Sequence, residues 1–168
     1  MKSKGEKIAF VAAIILLILY IVIAVSALVF GIKFFKEKVL IVKDSITSEK
    51  FVSIMNEEGF EVAEITEDVE DVKAKKAYKA ENGNYTIEFY EFENERDSRV
   101  FFIENGEKND SNTSTKKISI SGNNYNTFTI VKNGRFFFME RIDKTIIIVD
   151  GYAKYEEASK NLLKSFGY

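Results

Sequence analysis

The chain has 168 residues, a formal net charge of −2 and 46% hydrophobic residues, with no His, Cys, Pro or Trp. Without Cys or His it can form no disulfide, no Cys/His zinc site, no lipidated cysteine and no Ser-His-Asp or Cys-His catalytic group. It also has no imidazole to act as a switch near neutral pH.

Residues 1–7 form a basic tail containing Lys2, Lys4 and Lys7. Residues 8–32 (IAFVAAIILLILYIVIAVSALVFGI) then run without a charge. As an α-helix this stretch is about 37 Å long, against a hydrocarbon core of roughly 30 Å. It is apolar on every side, as a helix facing lipid must be. The sequence therefore predicts one transmembrane helix over 8–32, with the lipid bilayer as its partner. Cleavage after Ala27 is the competing reading, because Val25-Ser26-Ala27 offers small residues after a basic start. The apolar run exceeds a signal peptide's usual core, which favours a retained signal-anchor. Lysines flank both ends of the span, with Lys33, Lys36, Lys38 and Lys43 following it. The positive-inside comparison is close to balanced. The short N-terminal tail favours a cytoplasmic N-terminus and an extracytoplasmic C-terminal domain; the reverse orientation is the alternative.

Residues 33–44 (KFFKEKVLIVKD) read as a juxtamembrane linker, with lysines at headgroup level. Residues 45–168 read as one soluble domain. Thr47 or Ser48 caps a helix to about Glu58, with Phe51, Ile54 and Met55 inward and Gly59 ending it. FEVAEI (60–65) is a short strand, and TEDVEDV (66–72) an acidic turn or a helix of about one and a half turns. KAYKAE (76–81) and NYTIEFYEF (84–92) pair through Asn82-Gly83, a strong hairpin signal. Asn94 starts a second helix that Gly106 ends, with Val100, Phe101 and Ile103 inward. After the polar loop 107–115 come strands 117–121, 124–131, 135–142 and 144–150, with Asn133-Gly134 as another tight turn. A last helix covers about 154–166, with Gly167 as its cap. The fold class is α+β: an antiparallel meander sheet of about seven strands packed by about three helices.

Charge is uneven along this domain. Residues 45–110 hold 8 Lys/Arg and 18 Asp/Glu, a balance of −10; residues 111–168 hold 9 and 5, a balance of +4. An acidic domain of this kind predicts no nucleic-acid partner. The acidic cluster Glu64, Glu67, Asp68, Glu70 and Asp71 lacks calcium-loop spacing and its turn glycine, and reads as a solvated turn. Asp110, Asn112 and Ser114 imitate the start of an EF-hand. Thr115 and Ser121 then stand where the glycine and the bidentate glutamate belong. Asn84, Asn109 and Asn112 head glycosylation triplets that matter only in a host that glycosylates. Glu88, Glu91, Glu140 and Asp150 are the carboxylates that glycosidase chemistry could use, but nothing pairs two of them at a working distance. Glu88 and Glu140 read as solvated, and Arg135 and Arg141 as guards of strand ends, with an anionic ligand held at a strand end as the alternative. No catalytic, cofactor-binding or metal-binding residue is assigned, no cofactor is expected, and the chain reads as a non-enzyme.

The hairpin NGRFFFMERIDKTIIIV followed by YEEASKNLLKSFGY resembles small uncharacterised single-pass membrane-anchored α+β proteins of low-GC Gram-positive bacteria. The resemblance implies a cell-envelope location at the cell membrane and no named activity. The leading expectation is an extracytoplasmic binding or interaction module engaging a protein partner or its own copies as a homo-oligomer. The alternative is a membrane-tethered binder of an apolar or anionic small ligand, which requires a cavity beside 135–150. A carboxylate-based hydrolase comes third. FFFM and TIIIV are apolar on both faces, so the question is whether the helices cover both; an uncovered face would be the partner site.

Overall fold

The computed structural model describes residues 15–26, 41–67, 69, 73–110, 114 and 116–168. The basic tail, the ends of the 8–32 segment with the Ala27 cleavage position, the linker up to residue 40, Asp68, Glu70, Asp71 and Asn112 lie outside the described residues. The chain divides into two units, Met1–Leu40 and Ile41–Tyr168.

In the first unit, residues 15–26 are helical (α1) and exposed throughout, from Ile21 at 51% to Tyr20 at 72%. The polar side chain Ser26 donates its hydroxyl to the carbonyl of Val22, 2.7 Å away, which satisfies it within the helix. Among the described residues no helix is long and apolar enough to cross a membrane.

The second unit opens with α2 (Ser48–Glu57), capped by Thr47, whose side chain accepts from the Lys50 N–H at 3.3 Å. Gly59 follows with φ +79°, the left-handed conformation that ends a helix. The strands are β1 (Glu61–Glu64), β2 (Ala74–Glu81), β3 (Tyr85–Phe92), β4 (Lys116–Ser121), β5 (Tyr125–Lys132), β6 (Arg135–Ile142) and β7 (Thr145–Tyr152). Two more α-helices, α3 (Glu95–Asn109) and α4 (Glu156–Ser165), and a short 3-10 helix at Ala153–Tyr155 complete the described elements. The strands form one sheet in the order β1-β2-β3-β7-β6-β5-β4, and every pairing is antiparallel. The sheet is two meanders. The chain runs from the β1 edge inward to β3, crosses by way of α3 to the opposite edge, and returns through β4–β7 until β7 lies against β3. The architecture is α+β, as the sequence predicts.

Alternation along β6 and β7 sends side chains to two separate cores. Phe136, Phe138, Ile142, Ile147 and Val149 pack with Phe51 and Met55 of α2 and with Leu163, Phe166 and Tyr168 at the C-terminus. Met139, Ile146 and Ile148 pack on the other face with Tyr90, Phe92 and Phe101 of α3. Both faces of FFFM and TIIIV are therefore covered by the protein's own helices, and neither run is an open surface.

Three local expectations are corrected. α3 continues through Gly106 to Asn109; Gly106 faces Met139, and an added Cβ would lie 3.9 Å from Met139 Cε, an ordinary contact distance. Val100 and Ile103 face outward at 45% and 55% exposure, while Ser98 and Phe101 are buried. The inner stripe is set by the Ser98 hydroxyl donating to the Asp143 carbonyl at 2.7 Å and by Phe101 packing 4.8 Å from the Tyr90 ring. Positions 100 and 103 lie far round the helix from that stripe. Finally, the β2–β3 turn takes residues 82–84 rather than two. Asn82 Oδ1 accepts from the N–H of Asn84 (3.0 Å) and Tyr85 (3.3 Å), which holds Asn82 out of the left-handed region and leaves Gly83 alone there. Asn133 and Gly134 do form the expected two-residue turn, with φ +50° and +75°.

Candidate functional site

Register places three strands' side chains in rows on the α2/α4 face. Ile118 lies opposite Thr129, which lies opposite Phe138; Ile120 lies opposite Thr127, which lies opposite Glu140. α4 follows β7 after one 3-10 turn, packs against β7, and touches β4 through the Lys116–Glu156 ion pair. The rows from β4 and β5 are left without a lid. The result is a cleft of about 260 Å³ lined by Ile118, Ile120, Thr127, Thr129, Phe138, Glu140 and Leu163, with Lys43, Lys160 and Lys164 around it. Ile118 and Ile120 remain 39% and 48% exposed in its wall.

Glu140 is 2% exposed and forms an ion pair with Lys43 Nζ. Burial raises the Glu140 carboxyl above the usual carboxylate range, against the opposing pull of Lys43 and the Thr127 hydroxyl. Lys43 is held by its backbone: its N–H donates to Asn124 Oδ1 at 3.1 Å, and Asn124 Nδ2 donates back to the Lys43 carbonyl at 2.7 Å. Its ammonium also sits 5.0 Å from the Tyr125 ring centroid. Nearby, Lys160 Nζ lies 2.8 Å from Glu156 Oε1 and 5.3 Å from the Phe138 ring centroid. Tyr168 closes the base of the cleft, its hydroxyl bonded to the Thr145 hydroxyl, and burial pushes that phenol well above its ordinary range.

Three lysines thus line the cleft; Lys43 is paired with Glu140 and Lys160 with Glu156, and Lys164 stands outside both pairs. An apolar wall with surplus positive charge at its rim suits a ligand with a greasy body and an anionic group. Thr129 adds a hydroxyl to the lining, while the Thr127 hydroxyl is already bonded to Glu140.

The residues singled out from the sequence go to separate places. Glu140 is buried in the cleft rather than solvated, because it shares the inward parity of Phe136 and Phe138. Arg141 does not guard a strand end. It is 1% exposed on the opposite face, donating from Nε to Asn126 Oδ1 (2.9 Å) and from Nη1 to the Asp143 carbonyl (2.7 Å). Burial lowers its pKa. Arg135 is exposed and pairs with Asp150 at 2.7 Å. Glu88 accepts from the Tyr90 hydroxyl at 2.7 Å on the face opposite Glu140, and Glu91 lies 3.8 Å from Lys75. The four carboxylates are therefore engaged with four different partners. Among the described residues no group of three or more acidic side chains could hold a metal ion. Sequence alone does not single out Lys43 as a site residue; it lies 97 positions from Glu140, and no local pattern signals that pair.

No family model and no curated protein matches the chain. Among solved structures it is similar to a GTP binding regulator from Thermotoga maritima, with 18% sequence identity over 70% of this chain and 84% of that one and a TM-score of 0.46.

Proposed function

We propose that the protein is a single-pass membrane protein whose extracytoplasmic α+β domain is a non-enzymatic binding module, and that the cleft beside β6 takes a small anionic amphiphile. The 25 uncharged residues of 8–32 support the membrane reading. The observation that carries the binding reading is the cleft itself: apolar rows from β4–β6, the Thr129 hydroxyl inside, and Lys160 and Lys164 at the rim beside a neutralised Lys43–Glu140 pair. The ligand's apolar part lies along Ile118, Ile120 and Leu163, and its anionic group meets Lys160 and Lys164.

The test uses octanoate as the probe and the full chain in lipid nanodiscs, read by isoleucine and leucine methyl resonances. Titration shifts Ile118, Ile120 and Leu163 in a saturable way and leaves the exposed Ile103 on α3 unmoved. The double variant Lys160→Ala/Lys164→Ala weakens binding about tenfold, equivalent to about 1.4 kcal/mol. Equal shifts at Ile103 and Ile118, or no saturable shift at millimolar octanoate, contradicts the reading.

A further inference from the structure

The two edges of the sheet differ. β1 is four residues long and carries Glu61 and Glu64. β4 is six residues long, KKISIS, exposed along its whole length and without proline or an irregularity in its pairing with β5. Among the described residues nothing pairs with its outer side. Lysines commonly guard such edges; here Lys116 and Lys117 stay 46% and 45% exposed, each tied into an ion pair within the chain. Lys116 Nζ lies 2.9 Å from Glu156 Oε1, and Lys117 Nζ lies 2.5 Å from Asp110 Oδ2.

The backbone of β4 shows which groups face outward. The Gly122 N–H donates to the Tyr125 carbonyl at 2.9 Å and closes the β4–β5 hairpin. Antiparallel pairs alternate between bonded and non-bonded. Ile118 and Ile120 therefore bond to β5, and the N–H and C=O groups of Lys117, Ser119 and Ser121 point away from the sheet. We propose that β4 pairs antiparallel with β4 of a second copy of this chain about a two-fold axis at Ser119. In this register Ser119 opposes the second copy's Ser119, Lys117 opposes its Ser121, and Ile118 opposes its Ile120.

Three features favour a second copy over an unrelated strand. A two-fold axis normal to the sheet requires residues of the same face to meet, and this register brings the outward-facing groups of 117, 119 and 121 into bonded pairs. The Ile118–Ile120 pairs fall at non-bonded positions, where side chains approach most closely. No lysine opposes a lysine. Shifting the axis by one residue to Ile118 sets Lys116 against Ile120, whereas the Ser119 axis sets no lysine against an isoleucine. The pairing also covers the two exposed isoleucines and adds the second copy's pair to the open side of each cleft. It stands or falls separately from ligand binding.

The test uses the full chain in mild detergent, with cysteine introduced into a sequence that has none. Ser119→Cys, oxidised, forms a covalent dimer, because self-opposed positions meet disulfide spacing. Ser121→Cys does not, because its counterpart lies four residues along the partner strand, roughly 13 Å away. Adding Ile118→Lys to the Ser119→Cys chain abolishes the cross-link while the far-ultraviolet circular dichroism is retained. Light scattering of the unmodified chain gives twice 19.2 kDa. A one-chain mass, a two-chain mass without the Ser119→Cys bond, or cross-linking at 121 as ready as at 119 overturns the proposal.

Discussion

Replacing Lys43 by alanine isolates the energetics of the cleft. It leaves the Glu140 carboxylate, 2% exposed, without its cation. Breaking a buried ion pair on one side costs about 3–5 kcal/mol. Lys43 keeps 26% of its side chain in water, which places the expected cost toward the lower end, about 3 kcal/mol at pH 7.5. The sign with pH follows from the raised Glu140 carboxyl. A carboxyl raised in the folded state favours folding when protonated, and that advantage is lost as pH rises through its folded value. Removing Lys43 removes a cause that lowers it, so the carboxyl rises further. The Lys43→Ala deficit is therefore largest above neutrality and shrinks as pH falls toward the ordinary carboxyl range. Urea unfolding of the full chain in mild detergent, followed by the near-ultraviolet signal of its tyrosines at pH 7.5 and 4.5, measures both values. The double variant Lys43→Met/Glu140→Leu restores stability to within about 1 kcal/mol of the parent, since a buried pair exchanges well for apolar groups. A deficit below about 1 kcal/mol at pH 7.5, or one that does not shrink at pH 4.5, refutes the reasoning.

Other substitutions probe the fold by the same unfolding assay. Ser48 is fully buried, and its hydroxyl has no hydrogen-bond partner among the described residues; Ser48→Ala therefore stabilises by about 1 kcal/mol. Phe101→Ala costs about 3–5 kcal/mol and Val100→Ala less than about 0.5, because only the first lies in the core beneath α3. Equal effects would mean that the helix is rotated. A Cβ at Gly151 would lie 2.6 Å from Tyr85 Cβ, so Gly151→Ala destabilises by about 1–3 kcal/mol.

The order of elements is legible because turn chemistry and alternation agree over most of the domain. Asn133-Gly134, Gly59 and Gly167 all adopt the positive φ that their positions suggest. The strand order is less legible, since it depends on β3 meeting β7, a pairing between positions about 60 residues apart such as Tyr85 and Gly151. Without that pairing, nothing in KKISIS says that it lies at an edge. The cleft is half legible. The apolar run at 135–142 points to its neighbourhood, but Glu140 reads as solvated and Arg141 as a strand-end guard because charged side chains are rarely buried. Their parity is the overlooked signal: both-face burial in FFFM continues one step further, with Glu140 inward on one face and Arg141 on the other. α3 misleads for the opposite reason. Its apolar residues Val100 and Ile103 lie outside, while Ser98 and Asn105 lie along the inner stripe, so hydrophobicity alone selects the wrong side.

The membrane-tethered, exported arrangement is tested by labelling single cysteines on intact cells with a membrane-impermeant maleimide. Asn84→Cys lies in the exposed β2–β3 turn and reports on the domain, and Ser3→Cys reports on the N-terminal tail. The arrangement predicts labelling at 84 on intact cells and at 3 only after permeabilisation. Labelling at 3 with protection at 84, or protection of both until the cells are opened, contradicts it.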